Sequence, residues 1–290
     1  MKSALIKLHI AVLLVGFTGI LGVLINLNEM LLVWYRILIT VISLAVLLYF
    51  SGKLTLLPKA SIVKLFFFGA IIALHWVFFY GSIKLSNVSI GLVCFSATGL
   101  FTSLLEPLII TKNVRWVEVC LGLLSLGGIY LIFHFDSRYQ TGIIIGVISA
   151  ALAALFSVFN KKNITIATPQ VIMLYELSGG LLVLTILMPF YLYLFPSKSL
   201  FPSVTDWGWL LILSWVCTIV AMKLMLEALH KVSAFTQNLS LNLEPVYAII
   251  LAFILFHENE QLQSSFYYGV ALILLSVVLQ MARVVVGKRH

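Results

Sequence analysis

The sequence predicts an all-α integral membrane protein, with ten transmembrane helices in two inverted five-helix repeats, 1–135 and 136–290, and both termini cytoplasmic. Three observations carry that prediction. Hydrophobic residues make up 62% of the chain and charged ones 10%, with a mean hydropathy of +1.14, far from the range of soluble domains. Apolar windows of about 20 residues, the length that crosses roughly 30 Å of hydrocarbon, recur from end to end. The cations fall unevenly on alternate connections, which orients the chain.

In order, the windows are 4–26, 31–50, 62–83, 89–111, 116–135, 142–160, 170–195, 207–229, 234–256 and 265–286. The first follows Lys2 and Lys7 as a leader would, but no small-x-small cleavage site precedes a polar chain, so it reads as a membrane helix. Trp34, Trp116, Trp207 and Trp209 stand at predicted helix ends as interfacial anchors. Gly16, Gly19 and Gly22 in the first window, and Ser149, Ala153 and Ser157 in the sixth, form small faces for close packing. The longest connections, "SGKLTLLPKAS" and "FPSKSLFPSVTD", leave no room for a soluble domain. Cys94, Cys120 and Cys217 lie inside helices without partner spacing, so neither a disulfide framework nor a metal or other cofactor is implied.

A net charge of +8 raises the question of nucleic acid, and the topology answers it. With the N terminus inside, thirteen Lys and Arg residues fall on the inner connections, and three, Lys84, Arg138 and Lys198, on the outer ones. The basic excess is orientation, and nucleic acid is excluded as a partner. The lipid bilayer is the obligatory one.

An internal repeat fixes the register of the two halves. "LLEPLII" and "NLSLNLEPVYAII" invite a shift of 138, which fails, because the flanking motifs then fall out of step. A shift of 146 to 147 pairs Ser82 with Ala228, Lys84 with His230, Lys112 with Glu258 and Gly122 with Gly269, and sets Glu244-Pro245 against Thr98-Gly99. A shift of 140 pairs "WYRILITVIS" with "LYELSGGLLV", and Arg36 with Glu176. An odd number of helices per half inverts the second relative to the first.

Ionisable residues inside the membrane cost at least about 2.5 kcal/mol each, so each needs a functional or a structural account. Gln237, Ser240 and Glu244 share one face of the ninth helix, with Glu244 near the midplane; on the fourth, Ser96 belongs to a small polar stripe, and Thr98 stands opposite Glu244 in the repeat register. His75 reaches the same depth, followed by Trp76 and Tyr80. These eight residues are the predicted substrate site; the structural alternative for Glu244 and His75 is a hydrogen-bonded core group. Pro245 removes a backbone donor and Gly99 loosens its helix at the equivalent depth, so both are predicted hinges. Arg36, one or two turns below the outer surface, is either an outer gate or a snorkelling cation. Lys223 and Glu227, four apart near the inner surface, neutralise one another or form an inner gate that Glu106 completes.

"ALHKVSAFTQNLSLNLEPVYAIILAFILFHENEQLQSSFYYGVALILLSVV", with its LEP, its HE and a glycine in the last helix, resembles the EamA-type members of the drug/metabolite transporter superfamily. "YRILITVISL", "SIKLSNVSIGLV" and "WVEVCLGLLSLGGIYL" match more loosely; Lys112 stands where that family usually has glutamate, and Gly99 where it often has proline. The resemblance implies a bacterial cytoplasmic (inner) membrane carrier for amino acids, nucleosides or related metabolites. A small-molecule substrate, most simply an amino acid, would move by alternating access around the midplane site. With no GxxxxGK[ST] loop, a proton gradient or an exchange substrate would drive it. An enzyme is disfavoured by the lack of HExxH or GxSxG, while a channel or a scaffold remains the alternative class.

Overall fold

The computed structural model describes residues 2–110, 113–135, 137–197, 199–241, 243–260 and 262–286. Lys112 and Lys198, read above from the sequence, lie outside them, as does the side chain of Pro245. The helices are α1 Lys2–Leu24, α2 Glu29–Phe50, α3 Lys59–Leu85, α4 Val88–Phe95, α5 Thr98–Ile110, α6 Trp116–Phe135 and α7 Gln140–Asn163. Then follow α8 Pro169–Leu194, α9 Val204–Ser214, a π-helical segment Trp215–Val220, α10 Ala221–Leu229, α11 Ala234–Leu241, α12 Glu244–Phe256 and α13 Ser264–Val286. Among the described residues no strand occurs.

Local sequence explains where these helices start and stop. Asn28 and Asn87 cap α2 and α4 by accepting from the Leu31 and Ile90 N–H groups, each at 2.8 Å. Ser203 and Asp206 form a capping box at α9. Gly52, at φ +65°, takes the left-handed turn after α2 that a side chain would disfavour.

Among the described residues seven helical stretches are long and apolar enough to cross a membrane, with Val88–Ile110 and Val204–Leu229 each counted as one. Shorter apolar runs, Trp116–Leu131, Tyr247–Phe256 and Ser264–Ser276, lie in α6, α12 and α13.

The predicted fourth and ninth windows are each broken in two, and the breaks obey the 146-residue register. α4 and α11 have eight residues each and α5 and α12 thirteen, so each pair is offset by 146. At both breaks the ladder tightens: the Ala97 N–H donates to the Cys94 carbonyl at 3.1 Å, and the Leu243 N–H to the Ser240 carbonyl at 3.1 Å. α12 packs on α4 and α11 on α5, so the discontinuous spans lie against one another. α3 packs along α7 and α8, which joins the halves through backbone contact: a methyl at Gly69 would fall on the Glu176 carbonyl.

Candidate functional site

The breaks border two adjoining cavities between the halves. The larger, of about 90 Å³, is lined by Arg36 on α2, His75 and Trp76 on α3, Ser157 and Asn160 on α7, Cys217 on the π segment, Gln237 and Asn238 on α11, and the apolar face of α10 from Met222 to Leu229. The smaller, of about 40 Å³, is lined by Thr18, Arg36, His75, Trp76, Phe79, Phe95 and Glu244. Arg36, His75, Trp76 and Phe95 are common to both.

Arg36 is 3% exposed. Its Nε donates to the Thr218 hydroxyl at 2.8 Å, its Nη1 to the Tyr80 hydroxyl at 3.1 Å, and its guanidinium carbon lies 3.8 Å from the Trp76 ring centroid. The π segment serves this arrangement, since the Thr218 hydroxyl bonds five residues back to the Leu213 carbonyl, and Ser214 donates to the Arg36 carbonyl. Arg36 therefore does not snorkel: its side chain turns inward and forms a wall of the chamber.

His75 is held from the opposite half. Its Nδ1 lies 2.9 Å from the Ser149 carbonyl, and the Ser149 hydroxyl donates to the His75 carbonyl at 3.0 Å. That pattern assigns the ring proton to Nδ1 and leaves Nε2 as an acceptor. Glu244, 1% exposed, stands beside Thr18, and its Oε2 has no hydrogen-bond partner. The Gln237 Oε1 is likewise buried and unpaired. Unpaired polar atoms at this depth favour a polar ligand over an apolar filler.

Of the eight predicted substrate residues, the structure brings Glu244, His75, Trp76 and Gln237 to the chamber, with Tyr80 one bond behind through Arg36. Ser96 and Thr98 turn back to the Val93 and Phe95 carbonyls of α4, and Ser240 to the Thr236 carbonyl of its own helix, and none of them lines either cavity. A helical hydroxyl has that local alternative, and beside a break it stabilises the turn. Gly99 sits in the first turn of α5, three residues past Ser96, and Pro245 in the first turn of α12, so both flank the breaks. Glu106 is buried, and the bond seen there is from the Phe235 N–H at the start of α11, at 2.8 Å, while Lys223 approaches Glu227 at 4.0 Å and Lys7 of α1 pairs with the same Glu227.

Sequence reading missed Thr18, Thr218, Asn160 and Asn238. Asn160 continues the 149, 153, 157 face at helical spacing, so the polar end of that face was a readable signal. Asn238 accepts from Ser157 and donates to Thr102, each at 2.8 Å, tying α11 to α7 and α5.

Both ends of the chamber are closed by bonds, most of them between the halves, while those of Lys161 and Lys84 lie within one half. At one end stand the Lys7–Glu227 pair, the Glu106 bond to α11, and Lys161, which donates to the Leu229 and Val232 carbonyls at 2.6 and 2.7 Å. At the other, the Asn26 N–H donates to Asp206 at 2.9 Å, Tyr191 bonds Glu29, and Lys84 bonds the Leu27 carbonyl.

A family model described as the EamA-like transporter family matches the chain twice, over residues 2–134 and 140–282. No curated protein matches the sequence. A solved structure described as "Crystal structure of protein" is similar at a TM-score of 0.67 and 15% identity, over 95% of this chain and 96% of that one, a likeness of fold alone.

Proposed function

From the premise that the chain belongs to the EamA-like transporter family, we propose that it is a secondary carrier that moves a small zwitterion, most simply an amino acid, by alternating access. Residues 1–135 and 136–290 are its two inverted five-helix repeats; α6, α12 with α11, and α13 complete ten crossings, the cation bias supports cytoplasmic termini, and the family resemblance supports a bacterial inner membrane. One observation carries the substrate reading: Arg36 and Glu244 line the same 40 Å³ cavity. A fixed cation and a carboxyl with one unpaired oxygen at one small cavity suit the carboxylate and the ammonium of one ligand. Trp76, Phe79 and Phe95 wall that cavity, and the larger one receives the side chain. Gating falls to the two bonded ends, with Glu106, Lys223 and Glu227 at the cytoplasmic one.

The test is uptake and counterflow of labelled amino acids and nucleosides in proteoliposomes. Saturable counterflow of an amino acid, lost in Glu244→Gln while the variant stays folded, is the expected result. Saturable flux of nucleosides alone would move the substrate class, unsaturable flux would indicate a channel, and the absence of flux for every compound would leave a scaffold.

A further inference from the structure

Glu176 is a buried acid that the transport reading leaves unused. It stands two turns into α8, is 0% exposed, and neither carboxyl oxygen has a hydrogen-bond partner. The helix that carries it packs backbone to backbone on α3, since a methyl at Gly69 would fall on the Glu176 main-chain carbonyl and one at Gly179 on the Phe66 backbone. Toward the chamber its neighbour is Asn160, whose amide faces the carboxyl short of bonding geometry, is itself unpaired at Nδ2, and lines the 90 Å³ cavity.

Charged groups on the helices around Glu176 are occupied elsewhere. Arg36 on α2 bonds Tyr80 and Thr218, His75 on α3 bonds Ser149, Lys64 on α3 is exposed, Lys161 and Lys162 on α7 bond carbonyls, and Lys223 and Glu227 on α10 approach one another. An ionised carboxylate left alone in such a setting costs several kcal/mol, whereas the neutral acid loses only hydrogen bonds. A carboxyl of this kind ionises only where water or a cation reaches it.

The repeat supplies the occasion. Glu176 occupies the position in the second half that Arg36 holds in the first, and Arg36 faces the chamber. Inverted-repeat carriers change state by rocking one half against the other. We propose that Glu176 is a proton-binding site of the transport cycle, sealed behind Asn160 in this conformation and open to the cavity in the oppositely facing one. The proton passes from the carboxyl O–H to cavity water and returns by the same path, so no other reactant is needed. This rests on the carrier reading.

Two measurements test it. Infrared difference spectra of the reconstituted protein across a pH series should show a carboxylic-acid carbonyl band that titrates in wild type and is missing in Glu176→Gln. In proteoliposomes, uptake of a labelled mixture of neutral amino acids under an inward proton gradient should fall at least tenfold in Glu176→Gln, while counterflow stays within twofold and Glu176→Asp regains part of the gradient response. A band that persists at every pH where the protein stays folded makes Glu176 a permanently neutral structural acid and overturns the proposal. Gradient-driven uptake that survives Glu176→Gln also overturns it. Should Glu176→Gln fail to fold, the wild-type titration and Glu176→Asp decide. Absence of counterflow in wild type would sink the carrier reading instead, and the infrared titration would still decide the proton site.

Discussion

The Asn238 amide donates to the Thr102 hydroxyl at 2.8 Å, and through that bond the two discontinuous spans are tied to each other beside their breaks. Asn238 also accepts from Ser157, so one side chain of α11 holds α5 and α7 together. Both partners are buried, so each loses a protein hydrogen-bond partner if the amide is removed.

Asn238→Leu should therefore cost about 1–2 kcal/mol, the upper range for hydrogen bonds between membrane helices. The measurement is thermal unfolding in detergent, where the variant is expected to melt several degrees below wild type. An unchanged melting temperature would mean that Thr102 and Ser157 find other partners, and the tie would lose its structural role.

Glycines at the α3–α8 crossing set a second expectation. A methyl at Gly69 would meet the Glu176 backbone, one at Gly180 the Gly69 carbonyl, whereas Gly127 and Gly208 have open space around them. Gly69→Ala should force the helices apart and lower expression and melting temperature sharply, by several kcal/mol, as backbone overlap cannot be relieved by a rotamer. Gly127→Ala should change stability by less than about 1 kcal/mol in either direction. Equal effects at the two sites would contradict this packing.

Much of this architecture was legible in the sequence, and the reasons differ by residue. The 146 register was readable because two halves of the same fold keep equal spacing, so the breaks after Phe95 and Leu241 land in step, close to the hinges that Gly99 and Pro245 signal. For Arg36, counting residues from a helix end gives depth but not direction, which left a gate and a snorkelling cation both open; its direction depends on Thr218 in the π segment, nearly two hundred residues away. Ser96, Thr98 and Ser240 were over-read for a related reason: spacing places a hydroxyl on a face, while its choice between a ligand and its own backbone is settled by the local turn.

Arg36 also separates charge from geometry. Arg36→Lys keeps a cation but loses the forked bonding to Tyr80 and Thr218 and the stacking on Trp76. Losing one charge-assisted bond of about 1.5–3 kcal/mol corresponds to roughly 10- to 150-fold. Amino-acid counterflow is expected to show KM raised by that factor in Arg36→Lys, with Arg36→Ala abolishing exchange. A KM within twofold of wild type in Arg36→Lys would show that the substrate does not meet the guanidinium.

The Lys7–Glu227 pair offers a test of closure that needs no substrate. Its side chains are 40% and 26% exposed, so the pair contributes only about 0–1 kcal/mol to folding. The same small energy is enough to shift two conformations several-fold, because the pair joins α1 to α10 at one mouth of the chamber. Cys217 is a native reporter, as it lines the larger cavity and is otherwise buried. In a background with Cys94 and Cys120 replaced by Ala and Ser, Glu227→Gln should raise the rate of Cys217 labelling by a membrane-impermeant maleimide added from the side bearing the N terminus, and salt should raise the wild-type rate toward it. The melting temperature should stay within a few degrees of wild type. If labelling from that side is unchanged while the other side speeds up, the Lys7–Glu227 end is not the mouth that this pair controls.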